Sequence, residues 1–403
     1  MRDSVRLKWL LSESDVRAGV EAEDLPLLSV SISWGVRRRE ATGAITRAAS
    51  ENLSNYKICR AGDLVINRMR AFQGALGIAP EDGIVSPDYA VLRVDPNINS
   101  RWLNYFLTSG STVATMASLV RGIGGTEAGN VRTPRLNIAD LLSIVASRVS
   151  AEEQRVIADY LDRETARIDT LIEEQQRLIE MLRERRQAII DVTFSVLGEP
   201  CVQLRRYIRF LTSGSRGWAD YYADEGERFV RIGNLPRVNL DLRGDVQFVD
   251  LPANVTEGSR TMLESGDLLF SITAYLGSVA VVGGDWVGAY VSQHVALCRL
   301  ESEHVNSRFI GWFMLTTKGQ DQLKEGAAGG AKMQLALDDI RGLRVPLAPI
   351  NQQRSIAASL DEQTAKIDML IAETERFIEL SRERRSALIT AAVTGHLDVR
   401  EGA

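Results

Sequence analysis

Two stretches of the chain carry apolar side chains on a 4-3 spacing for about nine turns each, the pattern of a helix that buries one long stripe. In the first, Ile157, Leu161, Ile168, Leu171, Leu178, Leu182 and Ile189 form the stripe. In the second, Ile356, Leu360, Ile367, Leu370, Phe377 and Leu388 repeat it. A neighbouring stripe, Ile172 and Ile179 against Ile371 and Ile378, widens the apolar face. The spacing predicts helices near 152–194 and 351–393. Helices of roughly 43 residues are about 64 Å long, and each is amphipathic enough to need a partner. Polar residues interrupt the stripes: Glu164 and Gln175 in the first, Gln363, Thr374 and Ser381 in the second. Such residues either fix helix register at a cost in stability or mark loosely packed flanks.

The two helices are copies. Between Gln154 and Ile190, 22 of 37 positions are identical to the residue 199 places further on, with no gap. Gln154-Arg155, Thr165-Ala166, Ile168-Asp169 and Arg183-Glu184-Arg185-Arg186 all recur. The segments between them repeat more faintly. Gly62-Asp63-Leu64-Val65 pairs with Gly266-Asp267-Leu268-Leu269, a turn followed by an apolar strand. Ala71-Phe72 and Gly74 match Ala274-Tyr275 and Gly277, and Arg101-Trp102-Leu103 matches Arg308-Phe309-Ile310 on a short helix. Glycine-rich loops, Gly122–Gly125 and Gly326–Gly330, follow in both copies. A period this long means duplication of a whole unit rather than a solenoid of short repeats. The chain therefore reads as an α+β protein with four parts: a globular part over 1–150, a central helix over 151–199, a second globular part over 200–349, and a C-terminal helix with its tail over 350–403. Pseudo-two-fold symmetry makes antiparallel packing of the helices the simplest way to cover both stripes, with one globular part at each end. Duplex DNA is the commonest target with matching symmetry.

The net charge of −5 runs against nucleic-acid binding until it is divided along the chain. Residues 1–150 carry 18 basic against 15 acidic side chains, whereas 151–200 carry 7 against 12. The acid sits mostly on the helices. Weak non-specific attraction to phosphate follows, so that a partner would supply part of the charge. Cys59, Cys201 and Cys298 are too scattered for a disulfide framework or a zinc site, and the chain has neither a membrane-length apolar run nor a signal-like start; it reads as cytoplasmic. No phosphate-binding loop, amino-methyltransferase run, nuclease triad or hydrolase elbow is present. The Arg-Glu-Arg-Arg runs read as a solvated helix face or as a docking surface for a partner subunit.

Two diverged globular parts alternating with two near-identical helices, the helix starts Glu153-Gln154-Arg155 and Gln352-Gln353-Arg354, the run Val345-Pro346-Leu347-Ala348-Pro349, the ending Thr394-Gly395-His396-Leu397-Asp398, and the stretch Phe229-Val230-Arg231-Ile232-Gly233-Asn234-Leu235 together resemble the specificity subunits of type I restriction–modification systems. The resemblance spans essentially the whole chain, although the first junction, Ile144–Val149, lacks the proline-rich run. It implies two target recognition domains, each reading one half of a split, asymmetric sequence in double-stranded DNA. It implies that the helices set the spacer and dock two modification (methyltransferase) subunits, which hold S-adenosylmethionine and methylate adenine. Two restriction subunits would add ATP- and Mg-dependent translocation and cleavage. This chain itself would be non-catalytic, with no cofactor. The alternative is a coiled-coil scaffold that joins two proteins without reading DNA.

The reading surfaces are the diverged parts, so contacts are inferred from residue type. Arg, Gln, Ser, Thr and His read base edges, while Arg and Lys hold phosphate. The candidates are Arg37, Arg38, Arg39, Arg68, Arg70, Gln73 and Arg121 in the first part. In the second they are Ser215, Arg216, Thr273, Tyr275, Gln293, His294, Lys332 and Gln334. Arg37–Arg39 stand out as three adjacent cations in a glycine-containing loop. Trp34, Phe72 and Trp218 beside them are either stacking platforms or core.

Overall fold

The computed structural model describes residues 4–39, 53–120, 134–252, 258–327 and 334–399. The predicted long helices run from Ala151 to Ser195 and from Ile350 to Thr394. The fold divides into two compact units, and each takes half of each helix. One unit holds residues 1–175 with 376–403; the other holds 176–375.

The same sheet is built in both units, antiparallel throughout. In the first its strand order is Leu11–Ser14, Tyr89–Val94, Leu64–Asn67, Leu76–Ile78. In the second it is Ile208–Ser213, Val295–Leu300, Leu268–Ser271, Val279–Val281. The retained Gly-Asp turn explains itself. Gly62 and Gly266 take positive φ of 92° and 85°, which glycine adopts freely. Asp63 and Asp267 then accept from the backbone N–H three residues back, Arg60 at 2.8 Å and Glu264 at 2.7 Å. A short helix, Ser100–Thr108 in one unit and Ser307–Met314 in the other, is capped by Asn99 and Asn306 and packs its apolar face under the sheet. The flanking strands differ. The first unit adds the hairpin Leu28–Ser31/Gly35–Arg38 and the pair Lys57–Cys59/Gly83–Val85. The second adds a four-stranded sheet through Tyr222–Ala223, Gln247–Val249, Glu227–Val230 and Tyr290–Val291.

Identical residues of the repeat build the joints between helix and globular part. Gln154 and Gln353 are 3% and 2% exposed. The Gln154 Oε1 accepts from the Asn99 N–H at 2.8 Å while its Nε2 donates to the Val149 carbonyl. Gln353 does the same with Asn306 at 2.9 Å and Ala348, and also donates to His304. About two turns on, Asp162 accepts from Arg101 and from the Tyr105 hydroxyl. Its copy Asp361 accepts a bidentate pair from Arg308 and the Trp312 indole N–H at 2.8 Å. Gln353→Ala is expected to strand three buried polar groups and cost about 2 kcal/mol, measured by chemical denaturation.

Within each unit the two helices run antiparallel. Arg385 pairs with Asp169 in the first unit (2.8 Å), and Arg186 pairs with Asp368 in the second (2.9 Å). These are the same pair under the 199-residue repeat. The finding corrects the reading of Arg-Glu-Arg-Arg: the fourth arginine of each run is neither a solvated face nor a docking residue, but closes the helix pair. The predicted seam is also corrected. Ile172, Ile179 and Ile378 are buried, whereas Leu178, Leu370 and Phe377 are 36%, 49% and 44% exposed. The second stripe is the true seam over the middle of the helices. Thr374 and Ser381 are buried in it, while Gln363 faces water.

Cys59 and Cys298 are fully buried, and burial pushes both thiols up to about 12; Cys201 is exposed. At pH 8 the two buried thiols stay protonated and shielded, so iodoacetamide is expected to label only Cys201 in the native protein and all three in denaturant. Intact-mass spectrometry reads the count.

Candidate nucleic-acid interface

In the first unit the cationic candidates divide. Arg37 and Arg38 lie on the strand Gly35–Arg38, paired with Ser29 and Leu28, which corrects their assignment to a loop. The Arg38 Nε donates to Glu81 at 2.6 Å, and that ion pair holds the Glu81 carboxyl below its ordinary value. Arg37 is exposed. The positive charges of Arg39 and Arg70 both act on the Tyr89 phenol. Burial raises that phenol, against the opposing pull of the Val30 backbone and of these two positive charges. Arg68 lies on the same turn as Arg70. Its carbonyl accepts the Leu136 N–H at 2.9 Å, and its Nε reaches back to the Leu136 carbonyl. The neighbouring Arg135 pairs with Asp88 at 2.7 Å, beside Tyr89. Arg39, Arg68, Arg70 and Arg135 are therefore linked through Tyr89, Leu136 and Asp88 into one basic neighbourhood, with Arg135 balanced by Asp88 and Gln73 exposed on the adjoining turn. Arg121 and the first glycine-rich loop lie outside the described residues, and so do most of the second loop and Lys332.

Sequence reasoning missed Arg135. The signal was there: Arg135 is the 199-residue partner of Gln334, and both precede the retained Leu136 and Leu335. Trp34 is half-buried at the tip of the hairpin, and it lines a 400 Å³ cleft with Gly35, Arg101 and Tyr105. Trp218 is core, stacked on Phe229 with ring centres 5.6 Å apart. Phe72 packs against the main core.

In the second unit most candidates meet. The Leu335 N–H donates to the Ile272 carbonyl at 2.9 Å, the counterpart of Leu136 on Arg68. This brings exposed Gln334 to the turn that carries Thr273 and Tyr275. The Thr273 hydroxyl lies 3.0 Å from the His294 Nδ1, whose other nitrogen is 3.2 Å from the Gln293 amide. Ile272 N–H donates to the His294 carbonyl, locking the two turns together. Ser215 sits beside Ser292 through a backbone bridge, and its N–H donates to the Val291 carbonyl at 3.1 Å. Arg216 follows it and is exposed. The result is a ridge of uncharged donors and acceptors (Ser215, Thr273, Gln293, His294, Gln334) with cations at its margin. Such a surface can form hydrogen bonds to base edges, whereas the basic neighbourhood of the first unit is also suited to phosphate. Among the described residues, no cluster of His, Cys, Asp or Glu is arranged to hold a metal ion, and no helix is long and apolar enough to cross a membrane.

Comparison with known proteins concerns the fold that carries these residues. Residues 254–377 match the family model for the type I restriction modification DNA specificity domain. Among solved structures, the chain is similar to one from a structural study of complex assembly and conformational transition in the type I R-M system (15% identity, TM-score 0.73, 98% of each chain covered). It is also similar to the HsdS subunit from Thermoanaerobacter tengcongensis (16% identity, TM-score 0.56, 98% of this chain and 97% of that one). No curated protein sequence matches. The resemblance and the α+β fold class read from the sequence are borne out: residues 254–377 match the type I restriction modification DNA specificity model, and nearly the whole chain shares the fold of these two solved structures.

Proposed function

We propose that this chain is the DNA-reading subunit of a type I restriction–modification complex, that it acts in the cytoplasm, and that each globular part reads one half of a split double-stranded target. The observation that carries this reading is the pairing of identical sheets with unlike surfaces. The first unit presents Arg39, Arg68, Arg70 and Arg135. The second presents Thr273 and Gln334 where the repeat places the Arg68–Arg70 turn and Arg135, with Ser215, Gln293 and His294 beside them. The paired helices set the spacer. They also dock two modification subunits, against which the exposed Leu178 and Met181 and their repeat partners Phe377 and Leu380 are available. S-adenosylmethionine, ATP and Mg belong to those modification subunits and to two restriction subunits; this chain positions them and catalyses nothing. A scaffold without DNA readout would have no use for two different polar ridges.

Arg39→Ala with Arg70→Ala is the test. In the complex with modification subunits, DNA binding is expected to weaken at least about tenfold while assembly of the subunits is unchanged. Unaltered DNA binding by an intact complex would remove these arginines from the interface.

A further inference from the structure

The stretch Phe229–Leu235 opens a loop that the structure holds at three points. The Asn234 side chain, 3% exposed, accepts from the Arg231 N–H at 2.9 Å and donates to the carbonyls of Arg243 and Asp245. Leu240 is fully buried, and its carbonyl accepts the Val281 N–H at 2.8 Å. Asp241 accepts from Arg308 at 2.7 Å. Between these anchors the loop presents exposed Arg237, whose guanidinium carbon lies 5.1 Å from the centre of the Tyr275 ring.

Tyr275 is itself an anomaly. Its φ is +53°, the only positive value at a non-glycine position among the described residues. A bulky side chain pays for that conformation, and such strain gathers at functional sites. The turn enforces it: the Tyr275 carbonyl accepts from the buried Ser271 hydroxyl at 2.7 Å and from the Ser278 N–H at 3.1 Å. Its repeat partner Phe72 has turned inward onto the core, while Tyr275 is 58% exposed. An aromatic position that is half-buried against the core in one copy is thus strained and outward-facing in the other, with a guanidinium on its face.

We infer that Arg237, stacked on Tyr275, is a base-reading residue of the second unit and that it takes guanine. The inference rests on the proposal that this unit reads DNA. A guanidinium held flat on a ring keeps its N–H edge free and loses little freedom on binding. Paired N–H donors match the O6 and N7 acceptors of guanine in the major groove. Thr273, Gln293 and His294 lie on the same turns and supply the neighbouring contacts.

The test is selection from a randomised duplex pool by the chain assembled with its modification subunits, followed by sequencing. The wild-type chain should select a split motif. Arg237→Ala should relax one guanine position in one half by about tenfold or more and leave the other half intact. Arg237→Lys should relax the same position, because an ammonium keeps the charge but not the planar fork. Tyr275→Gly, which suits the backbone, should fold and relax that position too. An unchanged motif with Arg237→Ala, or a motif fully kept by Arg237→Lys, would make Arg237 at most a phosphate contact and overturn the inference. A wild-type complex that selects no motif at all would overturn the underlying proposal instead.

Discussion

Asp368→Ala is expected to destabilise the protein by about 3 kcal/mol, whereas Asp169→Ala, the same change in the other copy, costs only about 1 kcal/mol. The two aspartates hold the same helix contact under the repeat, but their arginines differ in burial. The Arg186 side chain is 6% exposed, against 36% for Arg385. Arg186 also lies 5.7 Å from the Trp312 ring centre and leaves one guanidinium nitrogen without a partner. Its principal compensation is therefore Asp368. Removing that carboxylate leaves a charge stranded away from water, and the desolvation cost is no longer offset. Arg385 can turn to solvent when Asp169 is lost. Thermal and chemical unfolding of the two variants measures the contrast, and equal losses would mean that burial does not govern the pair.

Gly214→Ala is expected to cost at least about 3 kcal/mol, because overpacking against backbone cannot be relieved by a rotamer change. A Cβ there would lie 2.0 Å from the Val291 carbonyl oxygen and 2.3 Å from that of Ser292. The close approach lets Gly214 and Ser215 donate to the Val295 and Val291 carbonyls, and it sets Ser215 beside the turn that bears Gln293 and His294. The variant should therefore lose the polar ridge as well as stability. Gly233→Ala is the control: nothing lies within 4 Å of its Cβ position, so it should unfold within about 0.5 kcal/mol of the parent.

The long helices were legible in the sequence to within a residue at each end, because their periodicity runs for many turns and the repeat doubles the signal. Their contact face was not. Leu178 and Ile179 are adjacent, and a 4-3 count through either stripe scores well. The repeat separates them: Ile172 and Ile179 are kept as Ile371 and Ile378, while Leu178 and Leu182 become Phe377 and Ser381. The role of the fourth arginine of each Arg-Glu-Arg-Arg run was not legible either, since charge alone assigns it to the surface. Thr273, Gln293 and His294 were picked by residue type alone; that they meet on adjoining turns is visible only in the structure. Arg237 was out of reach. Its placement depends on Asn234, Leu240 and Asp241 acting together across the fold.

The central claim is that this chain decides which DNA sequence its complex acts on. Single-molecule sequencing of methyl-adenine in DNA from cells expressing the chain with its modification subunit, against cells lacking the chain, tests it most directly. The account predicts a new split motif, methylated on both strands and dependent on this chain. Absence of any such motif, with the complex shown to assemble, would contradict it and leave a scaffold in its place.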